Sequence, residues 1–232
     1  MPRGRAANYD DQREMILEQA AQLFARRGYS ATSMNQVAEA CGLSKASLYH
    51  YYRDKYAMLV CIAEDHVTRL AALIEDEQVR QLQGEARLRH LIQRIVEEYA
   101  DAQSAHRVLT EDVKFLEDDD RRRVLDKERV VVEGFARAVA ESGKLDGSKN
   151  MAGMAKPLTM LLFGMINWMF TWMRPDGELN YSAMGPVVAD LFLGGLPNVK
   201  PPGLVVPSFT PALSPSSLAP PPANRQGAEA GA

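Results

Sequence analysis

A short stretch between Ser44 and Tyr51 concentrates side chains that are suited to contacting a nucleic acid. Ser44 is predicted to cap a helix here, so that the amide groups and the positive dipole end of its first turn face outward. The surface of this helix then carries hydrogen-bond donors and aromatic hydroxyls, from Lys45, Ser47, Tyr49, His50 and Tyr51. Groups of this kind bond base edges and phosphate oxygens. The stretch therefore predicts a surface that fits a phosphate or a groove.

A tight turn joins this helix to a shorter helix that precedes it. Gly42 supplies the special backbone conformation of the turn, and Leu43 packs between the two helices. The earlier helix begins at Ser33, which forms a capping box with Gln36, and it turns Val37 toward the core. Two short helices joined in this way form a helix-turn-helix.

The segment from Gly28 to Leu59, GYSATSMNQVAEACGLSKASLYHYYRDKYAML, resembles the DNA-binding signature of TetR-family repressors. Turn, cap, aromatic triplet and following lysine all stand at the family spacing, and the resemblance covers about the first 60 residues. Two positions depart from it, because the family often has Gly at the position of Ala46 and Phe at that of Tyr52.

The resemblance implies a role for each matching residue. Lys45, Ser47 and His50 are expected to make base or base-adjacent contacts, and Tyr49 and Tyr51 to contact phosphates. Ser33 and Lys55, at the starts of the second and fourth helices, are expected to hold the DNA backbone. Ala46, where the family often has Gly, is expected to affect which base the helix approaches. Arg3 and Arg5 are expected to be either a flexible arm for a minor groove or an idle tail.

The rest of the chain is predicted to be helical, with no alternating strand pattern. We expect an all-α, TetR-like fold of about nine helices: a three-helix DNA-binding domain over residues 1–54, a ligand-binding and dimerisation domain over 55–196, and a disordered tail over 197–232. The first helix is expected to begin near Asp11, and the later ones to lie near Glu85–Gln103, Ala105–Leu116, Asp119–Ser142, Ala152–Met173 and Tyr181–Leu193. Nine of the 13 prolines fall in the tail.

Composition excludes several classes of protein. Two cysteines, Cys41 and Cys61, rule out a disulfide scaffold and a four-cysteine zinc site. The longest uncharged apolar run, 157–173, is too short to span a membrane and no signal sequence opens the chain, so a cytoplasmic, soluble protein with no membrane partner is expected. The net charge is −3, but residues 1–60 carry +2 and residues 61–232 carry −5, which hints at a basic DNA-binding unit.

No catalytic or metal-binding motif is present in the sequence. His66, His90 and His106 have no metal-ligand spacing, so we expect no metal, no cofactor and no enzymatic activity. The alternatives are a DNA-binding regulator without a small-molecule effector and a helical enzyme that uses Glu98, His106 or Asp112.

A second resemblance concerns the body of the protein. The segment 162–177, LFGMINWMFTWMRPDG, is similar to a segment of the TetR branch that senses acyl-CoA thioesters. Together with 97–101 and 106–109 it looks most like repressors of phenylacetate degradation, whose inducer is phenylacetyl-CoA. The resemblance thus implies an acyl-CoA effector and control of an aromatic- or fatty-acid catabolic operon.

A CoA thioester needs an apolar pocket for its acyl group and cations for its phosphates. Candidates for the apolar lining are Phe115, Met160, Phe163, Trp168 and Phe170. Asn167 is expected to bond the thioester carbonyl or, alternatively, to pair across a dimer seam. Arg107 and Arg174 are the phosphate candidates, whereas Arg121, Arg122 and Arg123 follow four acidic residues and are expected to neutralise these instead.

The resemblance further implies a two-fold homodimer on a pseudopalindromic operator. The seam is expected to be a four-helix bundle made by the last two helices of each subunit. Those helices are too apolar to stay exposed, with Leu161, Leu162, Met165, Met169, Val187, Leu191 and Phe192.

Overall fold

The computed structural model describes residues 3–145, 153–173 and 179–200, and the part it describes contains ten α-helices and no β-strand. The helices are α1 (Arg3–Arg27), α2 (Met34–Ala40), α3 (Lys45–Tyr51), α4 (Lys55–Glu75), α5 (Glu77–Gln81), α6 (Gly84–Asp101), α7 (Gln103–Asp112), α8 (Asp118–Glu141), α9 (Ala155–Asn167) and α10 (Tyr181–Gly195). Single 3-10 turns follow α7, α9 and α10, at Val113–Phe115, Met169–Thr171 and Leu196–Asn198. The prediction of an all-α fold is confirmed.

Several helix boundaries differ from the sequence prediction, and one helix is additional. Helix α1 begins at Arg3 rather than near Asp11. The residues between Arg3 and Asp11 include good helix formers and no proline, so the helix can extend over them. A helical backbone here contradicts a flexible arm at Arg3 and Arg5. The short α5 was not predicted; Asp76 ends α4 and caps the new helix by accepting a hydrogen bond from the amide of Gln78. Helix α9 ends at Asn167, and only a 3-10 turn follows it.

Left-handed glycines and side-chain caps shape the N-terminal helices. Gly28 and Gly42 have φ values of 84° and 63°, which L side chains rarely adopt, and they end α1 and form the turn between α2 and α3. The capping box of Ser33 and Gln36 is present as predicted. Ser44 caps α3 by accepting a hydrogen bond from the amide of Ser47 at 3.0 Å. The three short-range signals together fix the helix-turn-helix.

The long helix α4 connects the helix-turn-helix to the body. Its buried face begins with Met58 and Leu59 beside the first three helices and continues to Leu70 and Ile74 in the body. Helix α8 crosses it closely, since a Cβ on Gly134 would lie 2.4 Å from the Ile74 Cγ2 atom. Helix α6 packs between α8 and α10, and α9 packs on the other side of α8. The buried side chains form one continuous hydrophobic cluster from α1 to the end of α10.

Candidate DNA-binding surface and body cavity

Helix α3 separates a buried face from an exposed polar face. Leu48 is fully buried, whereas Lys45, Ala46, Tyr49 and His50 are exposed. These four exposed residues form two pairs that stand four positions apart, so they share one face of the helix. The Lys45 ammonium lies 6.0 Å from the centre of the Tyr49 ring. The Lys45 ammonium, the Tyr49 phenol and the His50 imidazole therefore face solvent together, beside the small side chain of Ala46.

Ser47 and Ser33 are held by local hydrogen bonds at the helix starts. The Oγ atoms of Ser47 and Ser44 lie 2.8 Å apart, and Ser47 is half-buried. The Ser33 hydroxyl accepts from the amide of Gln36 and lies 3.1 Å from its side-chain oxygen. Ser33 is exposed at the start of α2. The Ser33 hydroxyl thus caps α2, and the Ser47 hydroxyl bonds the residue that caps α3.

Tyr51 and Lys55 make contacts within the chain, whereas the sequence predicted that they contact the DNA backbone. The Tyr51 ring is half-buried and stacks on Tyr9 of α1, with ring centres 4.8 Å apart. The Lys55 ammonium donates to the backbone carbonyls of Tyr29 and Thr32 at 2.9 Å and of Ser30 at 3.2 Å. An ammonium has three N–H groups, so these carbonyls satisfy all of them. Lys55 therefore fixes the loop between α1 and α2, and Tyr51 anchors α1.

Tyr52, at the position where the family often has Phe, is a core residue. It is 3% exposed, and its hydroxyl donates to the carbonyl of Arg13 at 3.4 Å. The guanidinium of Arg13 lies 5.5 Å from the ring centre. The added hydroxyl of Tyr relative to Phe thus finds a partner on α1.

An apolar cavity of about 200 Å³ lies in the body between α4, α6, α7, α8 and α9. Of the residues predicted to contact a ligand, Met160, Phe163 and Asn167 line it. Apolar side chains from the other helices complete most of the wall, including Val67, Leu70, Leu109, Val113, Leu125, Val131 and Val132. The sequence therefore located the helix that forms one wall of the cavity.

Two of the aromatic residues predicted for the lining lie elsewhere. Phe115 is 40% exposed, and its ring centre lies 5.3 Å from that of Tyr29 in the loop before α2. Trp168 is 63% exposed at the end of α9. The prediction failed for both because α9 turns one face inward, and because the 3-10 turn after α7 directs Phe115 toward the N-terminal helices.

Phe170 and Arg107 lie next to the cavity without lining it. The Phe170 ring packs edge-on against His106, with centres 6.0 Å apart, and the Arg107 guanidinium lies 5.8 Å from the Phe170 ring. Arg107 also pairs with Glu111 at 3.1 Å. Arg174, the other phosphate candidate, lies outside the described residues.

Asn167 has a partner that was not anticipated. Its side-chain oxygen accepts a hydrogen bond of 2.9 Å from the Tyr99 hydroxyl of α6. This oxygen is therefore engaged within the chain rather than across a dimer seam. This pair could not be predicted from the sequence, because the two residues are 68 positions apart.

Burial shifts the pKa of three ionisable groups in or next to the cavity toward their neutral forms. Burial lowers the pKa of His106, which lines the cavity, to about 4, and that of its neighbour His66 to about 3. Burial also raises the pKa of Glu128, a half-buried lining residue of α8, to about 7. Sequence reasoning missed Glu128. The signal was its spacing from Val124 and Val131, which puts it on the buried face of α8.

A larger, open cleft of about 900 Å³ separates α1 from α4 and the α6–α7 junction. Its lining is strongly acidic, with Asp10, Glu14, Glu18, Asp65, Glu98 and Asp101 against Arg13 and Arg69. Glu98 pairs with Arg69 at 2.7 Å. An acyl group needs apolar walls, so the smaller cavity fits it better despite its size. Glu98 lines this cleft and His106 lines the smaller cavity, so these two residues, both named for a helical enzyme, do not share a pocket.

The arginine triplet of α8 is engaged in the way that the sequence predicted. Arg121, Arg122 and Arg123 pair with the acidic residues three positions before each of them, and Arg123 also bonds Glu64 of α4 at 2.7 Å. The triplet therefore neutralises the acidic start of its own helix.

Helices α9 and α10 expose several large apolar side chains. Leu161, Trp168, Val187 and Leu191 are between 52% and 66% exposed. By contrast, Leu162, Met169 and Phe192, which were expected at a dimer seam, are buried within the chain. Helix α10 uses Val188, Ala189 and Phe192 to pack on its own subunit. No side chain in the ranges that the structure describes covers the remaining apolar face.

Two negative findings apply to the ranges that the structure describes. No helix there is long and apolar enough to cross a membrane. No group of three or more His, Cys, Asp or Glu side chains there is arranged to hold a metal ion.

Both halves of the chain match known protein families. Residues 16–61 match "Bacterial regulatory proteins, tetR family", and residues 81–196 match "Tetracyclin repressor-like, C-terminal domain". The chain is similar to the solved structure of a TetR-family transcriptional regulator from Bordetella parapertussis, with 32% identity, a TM-score of 0.70, and coverage of 81% of this chain and 97% of that one. It is also 26% identical over 185 residues to the transcriptional repressor KstR2 of Rhodococcus jostii, which covers 79% of this chain and 90% of the relative. The crystal structure of AibR in complex with isovaleryl coenzyme A and operator DNA shares the fold, with 24% identity, a TM-score of 0.65, and coverage of 80% and 98%.

Proposed function

Because the chain belongs to the tetR family of bacterial regulatory proteins, we propose that it is a homodimeric repressor that binds operator DNA and is released by an acyl-CoA effector. The exposed face of α3 carries this proposal. Lys45, Tyr49 and His50 point into solvent together there, while Leu48 on the opposite face fixes the helix to the core. Such a face fits the major groove of DNA.

The proposed DNA contacts keep most of the residues named from the sequence. Lys45, Ser47 and His50 contact bases or the sugar-phosphate next to them, and Tyr49 contacts a phosphate. Ser33 offers a hydroxyl at the start of α2, and Ala46 lets the helix approach the groove closely. Two further residues support the surface from behind, since Tyr51 and Lys55 make intrachain contacts.

The unpartnered face of α9 and α10 is the proposed dimer seam. Burying Leu161, Val187 and Leu191 against a second copy removes their apolar surface from water, which is the main driving force for association. Two-fold symmetry then presents two α3 helices to half-sites about 34–36 Å apart, one turn of DNA, so the operator is a pseudopalindrome.

The body cavity is the proposed site for the acyl group of the effector. At about 200 Å³ it holds a small acyl group but not a whole coenzyme A, so the nucleotide lies outside, where Arg107 and Lys114 are near the cavity wall. AibR shows that this fold binds an acyl-CoA and operator DNA. The resemblance of the segment 162–177 to phenylacetate repressors makes phenylacetyl-CoA the first candidate, and an aromatic- or fatty-acid catabolic operon the candidate target. A body without a cavity would instead have favoured a regulator that ignores small molecules.

A chain of contacts leads from the cavity to the helix-turn-helix. Val113 and Lys114 of the 3-10 turn line the cavity, and the next residue, Phe115, packs on Tyr29. Lys55 of α4 holds the carbonyl of Tyr29. A ligand that shifts the 3-10 turn thus moves the loop before α2, in addition to any shift carried by α4. Coupling of this kind is typically about 1–3 kcal/mol, or roughly 5–150-fold in DNA affinity.

A band-shift assay on the DNA upstream of the gene tests the proposal. The protein is titrated with phenylacetyl-CoA, free phenylacetate, a long-chain acyl-CoA and CoA alone. We expect a shifted band that phenylacetyl-CoA abolishes and that CoA and phenylacetate leave intact. Binding that no compound releases would contradict the effector, and the absence of any binding would contradict the regulator itself.

A further inference from the structure

Two buried imidazoles face one another at the cavity without hydrogen-bond partners. His66 of α4 is 0% exposed and His106 of α7 is 4% exposed, and their ring centres are 5.6 Å apart. Among the residues that the structure describes, none of their four ring nitrogens has a hydrogen-bond partner of normal geometry. A neutral imidazole carries one N–H donor and one acceptor nitrogen, and buried groups of this kind are nearly always paired in folded proteins.

The two rings differ in their access to the cavity. His106 lines it, whereas His66 lies behind His106 and does not. Tyr99 stacks on one side of His106 with ring centres 3.6 Å apart, and Phe170 closes another side. The backbone of Asn167 raises the pKa of this imidazole without forming a hydrogen bond of normal geometry to either nitrogen. The ring is therefore held in place, and both of its nitrogens are buried without a hydrogen bond of normal geometry.

The charges around the cavity disfavour an anion at its inner end. Both imidazoles are neutral near pH 7, since burial lowers the pKa of each below 5. Among the lining residues in the described part of the chain, Lys114 is the one cation, and it is exposed beside Phe115. Glu111 and Glu128 also line the cavity. A buried carboxylate would thus have no buried cation to pair with among the described lining residues, which is unfavourable.

We infer that His106 donates its ring N–H to the uncharged carbonyl oxygen of an acyl thioester, so that the cavity selects the thioester over the free carboxylate. The inference rests on the proposed function, because it takes the acyl-CoA effector as given. It moves the carbonyl contact from Asn167, whose oxygen is already bonded to Tyr99, to a neighbouring group that has no partner.

The test deletes the carbonyl on the ligand and the donor on the protein. The ligand pair is phenylacetyl-CoA and S-(2-phenylethyl)-CoA, a thioether in which a methylene group replaces the carbonyl; isovaleryl-CoA and its thioether form a second pair. The proteins are the full-length wild type, His106→Phe, and the matched control His66→Phe, which removes the imidazole that does not line the cavity. Calorimetry measures each Kd.

We expect the wild type and His66→Phe to bind the thioester about tenfold more tightly than the thioether, as one hydrogen bond to a buried donor implies. His106→Phe should bind the two within about twofold. His106→Gln, which keeps an N–H donor, should restore part of the preference. Free phenylacetate should bind the wild type at least about tenfold more weakly than the thioester.

The inference is overturned if the wild type binds thioester and thioether equally, if His106→Phe keeps the preference, or if the wild type binds neither pair. If the wild type binds neither pair, the same sample is tested for operator binding. A sample that still binds the operator keeps the proposed DNA-binding function, so that only the acyl-CoA effector and the inference built on it have failed. Should the Phe variant fail to fold, the nitrogen chemical shifts of His106 in the wild type decide the matter. They should change with the thioester and not with the thioether; the same shifts with both ligands would overturn the inference.

Discussion

Lys45 and Tyr49 form a cation and phenol pair on the exposed face of α3 and are one turn apart. Neither makes a hydrogen bond that stabilises the fold, in contrast to Lys55, whose three donors bond backbone carbonyls. The two lysines, ten positions apart in the sequence, thus have opposite roles. One is free to contact DNA and the other fixes the loop that orients α2.

Replacing Lys45 with Ala should weaken operator binding about 5–30-fold, because one charged contact to DNA is lost. The free energy of unfolding should stay within about 0.5 kcal/mol of the wild-type value, since the side chain is exposed. Fluorescence anisotropy with a labelled operator measures the affinity. Arg80→Ala, which removes one exposed positive charge from α5, is the control and should leave the affinity within about twofold.

Glu128 gives a prediction about pH. Burial raises its pKa to about 7 from the ordinary value of 4.5, so the folded state binds more protons than the unfolded state between these values. The contribution of Glu128 to the free energy of unfolding is therefore fully present below about pH 4.5 and is lost as the pH rises through 7. Glu128→Gln should raise the free energy of unfolding relative to the wild type by about 2 kcal/mol at pH 8 and by little at pH 4.5.

Urea unfolding at both pH values measures this difference. The comparison with the wild type is essential, because the lowered pKa values of His66 and His106 act in the opposite direction and destabilise the fold as the pH falls below 6.5. A Gln variant with the same gain at pH 4.5 and pH 8 would show that Glu128 is charged throughout and would contradict its neutral form in the cavity.

At the scale of the elements, the 3-10 turn after α7 connects the cavity to the helix-turn-helix. Its first two residues line the cavity, and its third, Phe115, packs on Tyr29. Tyr56 adds a second connection, because its hydroxyl accepts from the amide of Glu117 at 2.9 Å and bonds Asp120. The start of α4 is thus tied to the segment between α7 and α8.

Phe115→Ala should uncouple effector binding from DNA release. The operator affinity without effector should stay within about threefold of the wild-type value. The factor by which saturating effector weakens operator binding should be at least about fivefold smaller in the variant than in the wild type. Anisotropy titrations with and without phenylacetyl-CoA measure both quantities. Val130→Ala removes an exposed apolar side chain from α8 and should change neither. An undiminished effector response in the Phe115 variant would show that α4 alone carries the signal.

The elements near the helix-turn-helix could be predicted because their signals are local. Ser33, Gln36 and Ser44 act within one helical turn, and Leu48 follows the helical period. The direction of Lys55 could not be predicted, because it depends on where the loop after α1 comes to lie. The same holds for Asn167, whose partner Tyr99 comes from a distant helix. The cavity is likewise a product of how five helices pack.

For the whole molecule, the apolar face of α9 and α10 is the feature that the described part of one chain does not explain. Leu161 and Leu191 are 65% and 66% exposed, although both lie on helices whose other faces are buried. A dimer accounts for this exposure, and it also supplies the second α3 that a pseudopalindromic operator needs.

Leu191→Asp should convert the protein to a monomer, because two copies of the charge would be buried at a two-fold seam. Operator affinity should then fall by at least about 100-fold, since each half-site is bound alone. Light scattering coupled to size exclusion gives the mass, and anisotropy gives the affinity. Asp190 precedes Leu191 and already pairs with Arg89, so Asp190→Asn is the control that should remain dimeric. A dimeric Leu191 variant would place the seam elsewhere.

Hydroxyl-radical footprinting on the upstream DNA, with and without phenylacetyl-CoA, tests whether a dimer binds the operator through α3 and is released by the effector. We expect two symmetric patches of protection about one helical turn apart, with their centres in consecutive major grooves, and the loss of both patches together when the effector is added. A single asymmetric patch, or two patches that persist at saturating acyl-CoA, would contradict an effector-released dimer that reads DNA through α3.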